Sequence, residues 1–117
     1  MAEGFANSYG RDVLTAASAG LSPVPSIIPE TVAIMKELNI DVSGHVPMHY
    51  APFLADHYDI VVNMSGYRLP GPTPKQLLEW QVKDPYMQTP EIYRKVRSDI
   101  EDRVMSLILH LRKQQKG

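Results

Sequence analysis

The chain has 117 residues, 44% of them hydrophobic, which is enough for one ordinary core and too little for two full domains. Its 12 basic and 13 acidic side chains leave a net charge of -1, so no overall field draws it to nucleic acid or to an anionic membrane. It contains no cysteine, which excludes disulfides, thiolate metal ligands and a cysteine nucleophile within these residues.

Met1, Phe5 and Tyr9 fall on one helical face and predict a short first helix, which Gly10 would end in a left-handed conformation. From Asp12 to Ala19 the chain is β-compatible, with Val13, Thr15 and Ala17 on one side, and it runs into Gly20 and the turn residues Pro23 and Pro25. A strand is expected there. Pro29 suits a first helical turn, and Val32, Ile34, Met35 and Leu38 form the apolar stripe of a second helix closed by Asn39.

Gly44, Pro47 and Pro52 interrupt the next stretch, after which Tyr58 to Met64 is nearly continuously apolar and reads as a strand buried on both faces. Glycines and prolines between Gly66 and Pro74 predict a loop, followed by a short strand or extended segment from Leu77 to Val82. Thr89 and Pro90 form a cap and first-turn pair for a terminal helix. Its stripe is Ile92, Val96, Ile100, Val104, Leu107 and Leu111. The order predicts a parallel sheet with helices on both faces, in a single α/β domain over residues 1–117. No apolar run approaches the roughly 20 residues of a membrane span, and the Met1 end lacks a basic segment followed by an apolar one. A cytoplasmic protein is the default expectation.

Six stretches together resemble the low-molecular-weight protein tyrosine phosphatase family and the arsenate reductases that share its fold. They are Met1 to Ala6, Ser18 to Gly20, Leu38 to Ser43, Asp59 to Met64, Trp80 to Tyr86, and Tyr93 to Val104. The resemblance implies a three-layer, flavodoxin-like parallel-sheet fold. It also implies hydrolysis of phosphotyrosine monoesters through a cysteinyl-phosphate in complete members, with a phosphotyrosine protein as substrate and no cofactor. In that family an apolar strand and a Cys-x5-Arg loop come directly before the Met-Ala-Glu helix. With no cysteine, this chain is expected to lack that central strand and its loop, and to be inactive as written, with an arsenate-reductase-type fragment or a non-catalytic binding and assembly protein as the alternatives.

By resemblance, Asp84 of Asp84-Pro85 is the general acid and base that protonates the departing phenolate and later activates water. Turn statistics alone would make Asp-Pro a mere turn before the last helix. Tyr86 stands where the family often places an aromatic residue at the phosphotyrosine entrance, and an ordinary half-buried tyrosine is an equal alternative. Thioredoxin-coupled arsenate reductases carry cysteines just after the strand ending here at Met64-Ser65. This chain has Gly66 to Pro74 there and no thiol, which disfavours arsenate reduction. Phosphatases commonly have Met-Asp at that strand end, and Ser65 replaces the Asp.

Two other constellations read as structural. His45, His49 and His57 with Asp56 could suggest a metal site, but Pro47 breaks the helix that would align the first two. Arg94, Lys95, Arg97 and Arg103 could bind phosphate, yet Asp99, Glu101 and Asp102 are interspersed as on any solvated helix. A sheet without its central strand would expose two apolar edges, so a homo-oligomer, at least a dimer, is expected. The position of Met1 within the family motif also suggests a start codon assigned too far downstream.

Overall fold

The computed structural model describes residues 1–20, 28–44, 48–50, 57–71, 74–83, 85 and 88–116. Five elements follow one another: α1 (Ala2–Tyr9), α2 (Pro29–Lys36), β1 (Val61–Asn63), β2 (Leu77–Glu79) and α3 (Pro90–Lys116). The two strands pair in parallel, with Val61, Val62 and Asn63 opposite Leu77, Leu78 and Glu79. Parallel neighbours need a crossover of about a dozen residues. The Gly- and Pro-rich stretch between β1 and β2 supplies it without a helix among its described residues.

Each helix carries recognisable punctuation. Pro29 opens α2, where its missing N–H costs nothing. Asn39 closes it at φ 61°, with the Asn39 N–H donating to the Lys36 C=O and the Ile40 N–H donating to the Met35 C=O. This is the paired bonding of a Schellman cap, and its usual apolar contact is present because Met35 and Ile40 share the core. At α3 the Thr89 hydroxyl accepts from the Ile92 N–H and the Thr89 C=O accepts from the Tyr93 N–H, with Pro90 as the first helical residue. No helix among the described residues is long and apolar enough to cross a membrane.

α3 is the spine of the core, and both α1 and α2 pack against it. Its buried stripe is Tyr93, Val96, Ile100, Val104 and Ile108, and from Val96 onward it packs in one cluster with Phe5 and Ala6 of α1, Met35 of α2, and Ile40. Phe5, Met35 and Ile108 are fully buried, each worth about 1.5–3 kcal/mol of transfer free energy. The stripe agrees with the expected one as far as Val104, then continues through Ile108, leaving Leu107 and Leu111 only half-buried. Polar ties reinforce the helix contacts. The Arg112 guanidinium donates to both Asp12 carboxylate oxygens and to the Tyr9 C=O, and the Tyr9 hydroxyl donates to Glu101.

The strand expected over Asp12 to Ala19 does not form. Val13 and Leu14 donate their N–H groups back to the Gly10 C=O in a turn, and the Asn7 side chain takes both backbone groups of Ala16. With those groups committed locally, the parallel pairing seen here among the described residues is an isolated bridge from Gly20 to His49. The strand expected over Tyr58 to Met64 is regular only from Val61 to Asn63, and the one from Leu77 only to Glu79. Gly10 does end α1, but at φ -119°, not in the left-handed region. Glycine is needed there for a close approach: a Cβ would lie 2.9 Å from two side-chain carbons of Ile108 and 3.0 Å from the Ala6 carbonyl oxygen.

Candidate functional site

Because β1 and β2 are parallel, the segments leaving them emerge on the same side, the side on which open α/β sheets hold their ligands. Residues 64–66 beyond β1 and 80–83 beyond β2 line a shallow, open cleft of about 420 Å3 there. Apolar surface comes from Met64, Val82 and the half-buried Trp80, the chain's single tryptophan. Ser65 lines the cleft from the β1 segment and Lys83 from the β2 segment.

The β1 side is organised by Asn63, the one buried polar residue among those described, at 7% exposure. Its side-chain oxygen accepts from the Ser65 N–H at 3.0 Å and from the Ser65 hydroxyl at 2.7 Å, while its amide nitrogen donates to the Tyr67 C=O at 2.7 Å. The Tyr67 N–H donates in turn to the Ser65 hydroxyl oxygen at 3.1 Å. Between them Gly66 sits at φ 78°, with open space where a Cβ would project, so its backbone conformation, not crowding, calls for glycine. Residues 63–67 thus form a self-fastened turn that satisfies a buried amide and holds the cleft edge in one shape.

The β2 side is fixed from two directions. The Trp80 N–H donates to the Asn63 C=O at 3.0 Å, continuing the ladder one step past Glu79. Arg103 of α3 donates to the Gln81 C=O at 3.2 Å while also pairing with Asp99 at 3.0 Å. Lys83 is exposed and has no ion pair among the described residues.

The two residues singled out from the sequence, Asp84 and Tyr86, lie outside the described residues; Asp84 directly follows Lys83 in the chain. Of the histidine group, His45 and Asp56 also lie outside them, and His49 belongs to the bridge with Gly20. No cluster of three or more potential metal ligands occurs among the described residues. Three of the four basic residues named on α3 are engaged elsewhere. Arg94 and Arg97 both clasp Glu37, Arg97 also donates to the Ile34 C=O, and Arg103 braces Gln81. Sequence reading passed over Asn63 and Trp80 as site residues. An Asn-x-Ser-Gly run at a strand's end is an Asx-turn signal and could have marked the first of them.

Comparison with known proteins places this geometry in context. The family described as low molecular weight phosphotyrosine protein phosphatase matches residues 1–70. A glutaredoxin arsenate reductase from Synechocystis sp. is 36% identical over 112 residues, covering 92% of this chain and 85% of that protein. A solved arsenate reductase in the phosphate binding state is 37% identical and superposes with a TM-score of 0.82, over 94% of this chain and 86% of the other. A protein tyrosine phosphatase structure at 18% identity, TM-score 0.78, covering 95% of this chain and 85% of that one, shares the fold.

Proposed function

Because the chain belongs to the low molecular weight phosphotyrosine protein phosphatase family, we propose that its cleft serves hydrolysis of a tyrosine phosphate monoester. In this reading the 117 residues supply the cleft walls and the general acid, but not the nucleophile. A complete member first forms a bond between a cysteine thiolate and phosphorus as the phosphorus–phenolate bond breaks. Asp84 gives its proton to the leaving phenolate, then takes one from the water that releases phosphate. Neither that thiolate nor any other is available in this sequence, so no phosphoryl-enzyme can form on these residues alone.

The observation that carries the phosphatase reading is the turn beyond β1. Its side chains offer an amide and a hydroxyl fastened to each other, with no thiol. Reducing arsenate to arsenite takes two electrons, drawn from two thiols that end as a disulfide, and nothing in this turn can donate them. A second reading, arsenate reduction with thiols supplied from outside these residues, is favoured by the 36% identity to a glutaredoxin arsenate reductase across most of the chain.

The test uses the chain as it stands and a fusion that places an apolar strand and a Cys-x5-Arg loop ahead of Met1. The chain alone should release no p-nitrophenol from p-nitrophenyl phosphate above background, and turnover by it would overturn the nucleophile argument. The fusion should hydrolyse that ester in a thiol-dependent way without forming arsenite from arsenate in the presence of glutathione and glutaredoxin. Arsenite formation without ester hydrolysis would select the second reading.

A further inference from the structure

The outer edge of β2 is open. The Val61 N–H donates to the Gln76 C=O and the Trp80 N–H donates to the Asn63 C=O, so residues 76, 78 and 80 turn their backbone groups toward β1. The alternate residues of a strand turn theirs the other way. Leu77 and Glu79 therefore face outward, and no further strand pairs with β2 among the described residues. Past Glu79 the edge is already taken, because Arg103 donates to the Gln81 C=O at 3.2 Å. Lys75, Leu77 and Glu79 are all exposed, and neither of the two charges has an ion pair among the described residues. An open edge carrying an exposed leucine is a template for another strand.

We propose that the occupant is a second copy of this chain, with the two β2 strands antiparallel about a two-fold axis at Leu77. Charge selects both the partner and the register. Lys75 and Glu79 lie two residues to either side of Leu77 with opposite signs, so this alignment sets each Lys75 against the partner's Glu79 and Leu77 against the partner's Leu77. Centring the pair on Glu79 would oppose two carboxylates, and centring it on Leu78 would set Glu79 against leucine. The backbone agrees with the charges. Leu77 and Glu79 already aim outward, Lys75 extends the same alternation by one step, and these three positions are the ones that exchange hydrogen bonds in this alignment. A lone charge on an edge strand repels a second copy, whereas this self-complementary pair attracts one. The joint spans five residues, 75–79, so it belongs with small, weak interfaces and its occupancy depends on concentration. It uses a different edge from those left by an absent central strand, on which the sequence-based expectation of an oligomer rests.

Sedimentation of the whole chain should show a reversible dimer at concentrations on the order of 0.1–1 mM, weakened by added salt. Lys75→Glu and Glu79→Lys each turn two attractions into two repulsions and should each weaken the dimer about ten-fold or more. Mixing those two variants should restore it, since every charge then meets its opposite. The three side chains are exposed, so the fold should be unchanged, and recovery on mixing shows directly that both variants are folded. A single thiol reads the register, because the chain has no cysteine of its own. Leu77→Cys should form a disulfide-linked dimer under mild oxidation, its Cα atoms lying about 5.5 Å apart across the axis. Glu79→Cys should not, because its Cα atoms would be roughly 14 Å apart. A monomer at about 1 mM would overturn the proposal. So would a dimer indifferent to Lys75→Glu, cross-linking no better at Leu77→Cys than at Glu79→Cys, or capture of an unrelated strand peptide by a chain that does not pair with itself.

Discussion

Asn7 holds Ala16 by both of its backbone groups: its side-chain oxygen accepts from the Ala16 N–H at 2.9 Å and its amide nitrogen donates to the Ala16 C=O at 3.1 Å. A helix side chain thereby takes the place of a neighbouring strand for one residue of an otherwise irregular segment. Asn7→Ala removes both bonds at a half-buried position and should cost about 1–3 kcal/mol. Asn7→Asp should cost a similar amount, because its carboxylate keeps an acceptor for the N–H but faces the Ala16 carbonyl. Urea unfolding with an unchanged denaturant slope reads the loss directly. A midpoint for Asn7→Ala indistinguishable from the parent would show that the grip is incidental.

Gly10 and Ile108 set how closely α1 approaches α3. Gly10→Ala would put a methyl 2.9 Å from Ile108 and 3.0 Å from the Ala6 carbonyl oxygen, and the second of these is backbone that cannot turn aside. Overpacking of this kind costs about 1–3 kcal/mol. Adding Ile108→Val removes the Ile108 Cδ1 atom and should restore part of the loss, so the double variant should be more stable than the sum of the single effects predicts. Strict additivity in thermal unfolding would place the strain elsewhere.

The helices were legible because their ends are written locally. Pro29, Asn39 and the Thr89-Pro90 pair each act within one turn of their own position, and each performs the expected role. The segment from Asp12 to Ala19 was misread because β-compatible composition says nothing about whether a partner strand competes successfully with Asn7 and Gly10 for its backbone. Gly10 was placed correctly for the wrong reason, since a requirement for space against Ile108, nearly a hundred positions later, leaves no local trace. The site was half legible. The Trp80 to Tyr86 stretch stood out by resemblance, but its juxtaposition with residues 64–66 depends on strand register, which short strands do not announce in sequence.

Glu37 joins the end of α2 to α3 through Arg94 and Arg97, and those hydrogen bonds pull its pKa from 4.5 down to about 2. A depressed folded-state pKa means the carboxylate stabilises the fold above its unfolded value, and the contribution fades as pH falls from about 4.5 toward about 2. Glu37→Gln should therefore lower the melting temperature near neutral pH. Its gap to the parent should narrow across that acid window and close below it. High salt should also narrow the gap, since the pair is exposed to solvent. A gap that stays constant from neutral pH to below the window would show that Glu37 acts by shape, not by charge.

Asn63 offers a way to loosen the cleft edge without breaking the sheet. The strand pairing runs through backbone groups, including the Val61 N–H to the Gln76 C=O and the Trp80 N–H to the Asn63 C=O, and these survive any change of side chain. Asn63→Ala removes the acceptor of the Ser65 N–H and the donor to the Tyr67 C=O, leaving Ser65 and Tyr67 to each other and to water. The expected cost is about 1–3 kcal/mol, most of it local. Hydrogen exchange should show this as a rise of about ten-fold or more at the Ser65 and Tyr67 amides, with the Val61 and Trp80 amides moving only as far as global stability moves. If all four amides accelerate together, Asn63 supports the strand pair itself, and the turn is not a separable edge of the cleft.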